Sequence, residues 1–124
     1  MEYLIDTHVL LWWLMGNPRL NAQCHEILQY KPVWFSVVSL WEITIKEQAG
    51  KIIIPNSFMS DLKGYGFIWL DVEFKHIQAL RSLPLIHKDP FDRLLISQTQ
   101  TEELVLITAD RNIRRYNVPT LQPD

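Results

Sequence analysis

Four acidic side chains stand at positions where carboxylates could do chemistry together: Asp6, Glu42, Asp92 and Asp110. Asp6 and Asp110 each follow directly on a short apolar run with strand character, and the other two fall near predicted helix starts. A lone carboxylate at such an apolar junction costs several kcal/mol to bury or is forced to protonate. Some compensating group is therefore expected beside these acids.

The predicted positions place the four acids on one edge of the molecule. In an open parallel sheet, the carboxyl ends of the strands and the adjacent helix N-termini lie along one edge, where ligands bind. Clustered carboxylates raise one another's pKa unless a cation shares the site. Hard oxygen ligands without cysteine or paired histidine favour Mg²⁺ or Mn²⁺ over zinc. The sequence therefore predicts a metal site built from this quartet.

The elements that position the acids alternate along the chain. Predicted strands cover residues 3–5, 33–36, 67–70 and 104–107. Predicted helices cover residues 7–15, a segment starting after Asn17-Pro18, and residues 39–50, 56–66, 73–83 and 90–101. This alternation indicates β-α units around a central parallel sheet.

Two helix starts carry capping signals. Asp89 followed by Pro90 predicts an N-cap and a first helical residue, and an Asp89 pair with Arg93 is an alternative use of the acid. Ser39 and Glu42 match the S-x-x-E capping box and predict a helix that begins near Ser39.

Each acid of the quartet also has a purely structural interpretation. Asp6 and Asp110 could cap helices that start just after them. Glu42 could close the capping box and pair with Lys46 one turn on. Asp92 could be a favourable first-turn charge. Four such acids on one predicted edge are harder to explain by capping alone.

The composition is that of an ordinary folded protein and argues against several other classes. The chain of 124 residues is 48% hydrophobic and 21% charged, which is typical of one folded domain spanning residues 1–124. No apolar run approaches the ~20 residues of a membrane span, and the N-terminus lacks the basic start of a signal peptide, so the cytoplasm is the expected compartment. The net charge of −2 argues against a protein that coats nucleic acid.

Cysteine and histidine give no metal signal of their own. The single cysteine, Cys24, is expected to be a buried helix residue. His8, His25, His76 and His87 show no metal-ligand spacing, so we expect each to be a surface or packing residue.

Several stretches resemble one known family. The segments "YLIDTHVLLWWL", "SVVSLWEITIKEQAGKIIIP", "HKDPFDRLLISQTQ" and "LVLITAD" are similar, in order and spacing, to PIN-domain ribonucleases, particularly the VapC-like toxins of bacterial toxin-antitoxin pairs. The resemblance runs from about Tyr3 to Pro119. It implies a three-layer α/β/α domain, Mg²⁺- or Mn²⁺-dependent endoribonuclease activity, a homodimer, and inhibition by a small antitoxin whose tail enters the active site.

The family's site residues map onto this chain residue by residue. Its acids correspond to Asp6, Glu42, Asp92 and Asp110, and its polar helpers to Thr7, Ser39 and Thr108. The chain departs from the family in the helix after Asp92, which often carries small alanines in the family but has Ser97, Thr99 and Gln100 here.

An RNA substrate needs cations near the acids. Basic side chains near the acid-bearing segments are Lys46, Lys51, Lys88, Arg93, Arg111, Arg114 and Arg115. They could hold phosphates on either side of the cut, and the Arg114-Arg115 pair is the best candidate. An ordinary solvated surface is the alternative for most of them.

Two adjacent tryptophans indicate a possible contact with another protein chain. Trp12 and Trp13 cannot both face the core from one helix, so one is expected to be partly exposed. That exposure would suit a homodimer or antitoxin contact.

Two other classes of protein stay open. A PIN-like module that binds RNA or protein without catalysis would carry the same fold. A phosphotransfer enzyme could use Asp6 as a nucleophile, but the dehalogenase-like phosphatases need a second acid at the position occupied here by His8.

Overall fold

The computed structural model describes residues 2–124, and its centre is a five-stranded sheet in the order β3-β2-β1-β4-β5. All neighbouring strands are parallel. The strands are β1 Tyr3–Ile5, β2 Val33–Ser36, β3 Ile68–Leu70, β4 Val105–Ile107 and β5 Thr120–Leu121.

Helices connect the strands and cover the sheet. They are α1 Thr7–Leu14, α2 Ala22–Tyr30, α3 Val37–Gln48, α4 Phe58–Gly64, α5 Phe74–Leu80 and α6 Pro90–Thr101, with a 3-10 turn at Ile113–Arg115. Helix α6 begins as expected, because Asp89 Oδ1 accepts the backbone N–H groups of Phe91 and Asp92 and Pro90 occupies the first turn.

The sheet separates two hydrophobic cores. Alternate residues of a strand point to opposite faces, so Leu4 and Leu106 enter one core while Ile5 and Ile107 enter the other. Helices α1, α2 and α4 pack with Ile5, and α6 packs with Leu4. Helix α3 contributes to both cores. The three-layer α/β/α architecture predicted from the sequence is confirmed.

The strand order reverses between β1 and β4. From β1 the chain moves outward to β2 and β3 on one side, then returns to β4 and β5 on the other. Such a reversal opens a crevice at the carboxyl ends of the two central strands, which is the usual ligand position in this type of sheet. Asp6 follows β1 directly, and Thr108 follows β4.

The start of helix α3 differs from its prediction. The helix begins at Val37, capped by Ser36, whose Oγ accepts the N–H of Val38 at 3.1 Å. The capping box predicted at Ser39 is therefore wrong, and Glu42 lies in the second turn. The reason is tertiary: Ser36 ends β2 directly before the helix, and its hydroxyl also donates to Gln98 on α6 at 2.6 Å.

Other element boundaries also differ from their predictions by a few residues. Helix α2 begins at Ala22 behind the cap of Asn21 rather than directly after Pro18. Helices α4 and α5 are shorter than expected, and the two-residue strand β5 was not predicted.

The polar residues that depart from the family pattern are accommodated in α6. Ser97 donates to the carbonyl of His76, and Thr99 donates to the carbonyl of Leu95. Gln100 is exposed and donates to the carbonyl of Asn117.

Cys24 is buried on α2 as expected, and burial raises its pKa to about 11.

Trp12 and Trp13 are both half-buried. Arg19 lies over the ring of Trp12, while Trp13 packs against His25 and Tyr65. Within residues 2–124, every helix is too short or too polar to cross a bilayer.

Candidate active site at the carboxyl edge of the sheet

Asp6, the acid that follows β1 at the strand reversal, is buried, with 2% of its surface exposed. Its Oδ1 accepts the N–H of Thr7 at 2.7 Å, and its Oδ2 accepts the hydroxyl of Thr108 at 2.7 Å. Burial raises the pKa of Asp6, although both hydrogen bonds oppose the rise. Asp6 caps α1, as the structural interpretation proposed, and it also faces the other acids.

Asp110 is held by the same threonine. Thr108 Oγ1 accepts the N–H of Asp110 at 3.0 Å while its proton goes to Asp6. Asp110 Oδ1 accepts the N–H groups of Asn112 and Ile113, which orders the 3-10 turn. Its other oxygen, Oδ2, is left facing the cluster.

Asp92 lies in the first turn of α6 and is largely buried. Burial, followed by the charges of Asp6, Asp89 and Asp110, raises its pKa to about 7, and a hydrogen bond from His87 partly opposes this rise. Neighbouring charges shift a pKa only over short distances, so these acids share one environment.

Glu42 enters from α3 and is 2% exposed. Its Oε2 lies 2.9 Å from the ammonium of Lys46, the pairing expected one helical turn on. Its Oε1 is buried and finds no hydrogen-bond partner among residues 2–124. The charge of Glu42 contributes to the raised pKa of Asp6, which places it on the same side of the cleft.

Thr7 and Ser39 join the helices that carry the acids. Thr7 Oγ1 donates to Ser39 Oγ at 2.8 Å, and both side chains are buried. Ser39 therefore ties α3 to α1 instead of capping α3, which fixes Glu42 relative to Asp6.

His87 belongs to this cluster, although its sequence spacing did not indicate it. Its Nε2 lies 2.8 Å from Asp92 Oδ2 and 4.0 Å from Asp110 Oδ2. The expectation of a surface or packing residue did not include this contact of His87 with the acids. The signal that could have found it was its place on the short loop leading into the Asp89 cap.

The side chains fit a divalent cation. Burial, and to a lesser extent the neighbouring acids, raises the pKa values of two carboxyl groups, Asp6 and Asp92. A third acid, Glu42, has a buried oxygen with no partner in the described chain. Oxygen donors of this kind suit Mg²⁺ or Mn²⁺. The residues able to hold the ion are Asp6, Asp92 and Asp110, with Glu42 alongside.

The basic residues near the cleft are not equivalent. The Arg93 guanidinium donates to the carbonyls of Leu83 and Pro84 and to the hydroxyl of Tyr116, so its donors serve the fold. Arg93 pairs with these groups instead of Asp89.

The other arginines follow Asp110. All three are exposed, and Arg114 also donates to the carbonyl of Ala109 and to the side chain of Gln122. Exposed cations can reach an external phosphate more readily than cations committed to backbone carbonyls.

The family follows from comparison with known proteins. The PIN domain family model matches residues 3–119, nearly the whole chain, and the chain belongs to this family. No curated protein matches the sequence closely enough to count as a relative.

Solved structures share the fold at low identity. A chain of VapBC2 from Rickettsia felis, bound to a DNA fragment from its promoter, superposes with a TM-score of 0.78 at 15% identity, covering 100% of both chains. DNA-bound VapBC from Salmonella typhimurium gives 0.72 at 15% identity, covering 98% of this chain and 97% of that one. A toxin-antitoxin complex from Klebsiella pneumoniae gives 0.69 at 15% identity, with 98% of each chain covered.

Proposed function

We propose that this protein is a Mg²⁺- or Mn²⁺-dependent endoribonuclease and the toxin of a toxin-antitoxin pair. The observation that carries the nuclease proposal is the buried acid cluster at the strand reversal, where Asp6 and Asp92 have raised pKa values. Membership in the PIN family, whose proteins are generally nucleases, supports it.

Different residues of the chain bind the ion, position its ligands and orient the attacking water. Asp6, Asp92 and Asp110 hold the ion, and Thr108 keeps two of them in place by bonding Asp6 Oδ2 and the Asp110 N–H. When bound, a divalent cation supplies Lewis acidity at the scissile phosphate and neutralises the charge that develops there. Glu42 Oε1, which lacks a partner within residues 2–124, accepts a hydrogen bond from the attacking water and so orients it.

RNA is held by cations around the cleft. Arg111 and Arg115 are the exposed candidates without a side-chain hydrogen bond among residues 2–124, and Arg114, also exposed, adds charge while it bonds the loop after β4. Lys46 is committed to Glu42 and Arg93 to the fold, so we give both a structural role rather than a phosphate contact.

Cleavage of RNA by the purified chain tests the catalytic proposal. We expect Mg²⁺ or Mn²⁺ to support cleavage, EDTA to abolish it, and Asp6→Asn or Glu42→Gln to reduce it by several orders of magnitude. Asp61→Asn is the matched control, because Asp61 is an exposed acid on α4 that bonds Ser57. If the folded wild type binds RNA or protein but does not cleave RNA, the result would instead support a binding module without catalysis.

The partner proposal has a separate test. The structural neighbours named above are VapBC and toxin-antitoxin complexes, which supports a small antitoxin as the partner. Co-expression with the product of the adjacent reading frame should give a stable complex in which RNA cleavage is inhibited. Light scattering of the isolated chain tests the proposed homodimer, whose mass should be twice that of the 14.7 kDa protomer.

A further inference from the structure

His87 lies on a loop whose backbone is fixed next to the acid cluster. The buried hydroxyl of Tyr116 accepts the N–H of His87 at 2.8 Å and the N–H of Ile86 at 3.1 Å. Arg93 donates to the same hydroxyl at 3.0 Å. The loop is thus tied both to α6 and to the segment after the 3-10 turn, so the imidazole is presented by an ordered backbone.

The spacing of the polar atoms around His87 resembles that of ligands around one small ion. His87 Nε2 lies 2.8 Å from Asp92 Oδ2 and 4.0 Å from Asp110 Oδ2, and the three ligand atoms lie within 4.8 Å of one another. In an octahedral site with bonds of about 2.1 Å, adjacent ligands are about 3.0 Å apart and opposite ligands about 4.2 Å apart. The two distances are close to these values.

A second observation concerns Glu42, whose charge acts on Asp6 in the same cleft. Glu42 Oε1 is buried in a residue that is 2% exposed, and residues 2–124 provide it with no hydrogen bond. Its neighbour Asp6 is equally buried. Glu42 Oε1 is therefore free to accept a hydrogen bond or a metal bond from a group outside the protein chain.

We propose that His87 Nε2 is a direct metal ligand, so that the site combines one imidazole nitrogen with the carboxylates of Asp92 and Asp110. This inference rests on the metal site of the proposed function and adds a residue type that an all-carboxylate site lacks. Coordination requires the neutral imidazole with its proton on Nδ1. Binding of the ion then replaces the hydrogen bond that now joins His87 to Asp92.

A nitrogen ligand changes which ion the site prefers. Carboxylates and water suit Mg²⁺, whereas imidazole suits transition metals. His87 therefore favours Mn²⁺ over Mg²⁺. If His87 were only an outer hydrogen-bond donor to Asp92, it would orient the carboxylate for either ion and carry no such preference.

Pulsed electron paramagnetic resonance of the Mn²⁺-loaded wild type distinguishes these arrangements. A directly bound imidazole gives ¹⁴N modulation of the Mn²⁺ spin echo. We expect this modulation in the wild type, its loss in His87→Gln, and its retention in His8→Gln. His8 is the matched control because it is exposed and lies two residues from Asp6.

Affinity provides the second readout. We expect His87→Gln to raise the Kd for Mn²⁺ at least about tenfold, the scale on which altered metal surroundings act. The Kd for Mg²⁺ should change much less, and His8→Gln should leave both constants near their wild-type values. An equal loss for both ions would overturn direct ligation and assign His87 to the outer donor role.

The outcomes separate this inference from the proposed function. Mn²⁺ bound without ¹⁴N modulation would overturn the His87 assignment and leave the carboxylate metal site standing. No specific Mn²⁺ binding would overturn both. Should His87→Gln fail to fold, ¹⁵N-histidine labelling of the wild type and of His8→Gln answers the question, because a histidine ligand must replace the ¹⁴N modulation with the ¹⁵N pattern. The ¹⁵N pattern must persist in His8→Gln if His87 is the ligand, and its loss there would overturn the assignment.

Discussion

The hydroxyl of Thr108 donates a 2.7 Å hydrogen bond to Asp6 Oδ2, joining two buried residues that are 102 positions apart in the chain. The same oxygen accepts the N–H of Asp110 at 3.0 Å. One side chain therefore connects the carboxyl ends of β1 and β4 and sets the spacing of two acids.

Thr108→Val tests that connection while keeping the side-chain volume nearly constant. The change leaves Asp6 Oδ2 and the Asp110 N–H each without its partner, and an unsatisfied buried polar group costs about 1–3 kcal/mol. We expect a lower denaturation midpoint and reduced RNA cleavage. Thr108→Ser restores the hydroxyl and should recover most of both, whereas equal losses in the two variants would mean that the methyl contact matters instead.

The metal site predicts linkage between ion binding and folding. A ligand that binds only the native state stabilises it in proportion to the logarithm of its concentration above Kd. We expect Mn²⁺ to raise the melting temperature of the wild type and to have little effect on Asp6→Asn. Calorimetry at increasing Mn²⁺ measures both, and the same rise in the two proteins would place the ion elsewhere.

The sequence was most informative where a local signal and the tertiary structure agree. At Asp89-Pro90, the cap and the first helical residue are local features, and helix α6 starts where they predict. Apolar runs likewise located β1 and β2 because their residues are buried in the sheet. The PIN-like fold class followed from this alternation and from the resemblance.

Local signals failed where a distant partner decides the structure. Ser36 and Ser39 are both plausible caps for α3. Ser36 caps the helix and bonds Gln98 on α6, whereas Ser39 bonds Thr7 on α1. His87 joins the acids through a loop that Tyr116 holds in place. Strand β5 has two residues, too few for alternation to show.

Lys46 and Glu42 form a half-buried ion pair whose energy can be isolated. Lys46→Met leaves the buried Glu42 carboxylate without its cation, so we expect a loss of about 1–3 kcal/mol. Glu42→Gln removes the charge, and the double variant should therefore be more stable than the sum of the single changes predicts. Urea denaturation of the four proteins gives the coupling energy, and simple additivity would contradict the pairing.

The two neighbouring arginines should separate RNA binding from folding. Arg115 is exposed, so Arg115→Ala should weaken RNA binding similarly for all sequences, make its salt dependence shallower, and leave melting unchanged. Arg114→Ala also removes the bonds to Ala109 and Gln122 and should lower the melting temperature. Binding measured at several salt concentrations checks this, and an unchanged salt slope in Arg115→Ala would rule out its phosphate contact.

Asp92 and Asp89, one turn apart on α6, should respond in opposite ways to loss of charge. The pKa of Asp92 is about 7 in the folded protein against an ordinary 3.8, so the native state binds its proton more tightly than the unfolded state does. The wild type without metal should therefore lose stability relative to Asp92→Asn as the pH rises from about 4 through 7. Below that range the protonated acid and the amide should be equivalent, while cleavage by Asp92→Asn should fall by several orders of magnitude.

Asp89→Ala removes the acceptor of two backbone N–H groups instead. The loss of such a cap typically costs about 1 kcal/mol, so melting should drop while cleavage, measured where the fold persists, stays within about tenfold of the wild type. Denaturation of both variants across pH 4–8 and their cleavage rates provide the comparison. If Asp89→Ala abolished cleavage at unchanged stability while Asp92→Asn remained active, the two acids would have exchanged roles, and the metal site would have to be rebuilt around the cap.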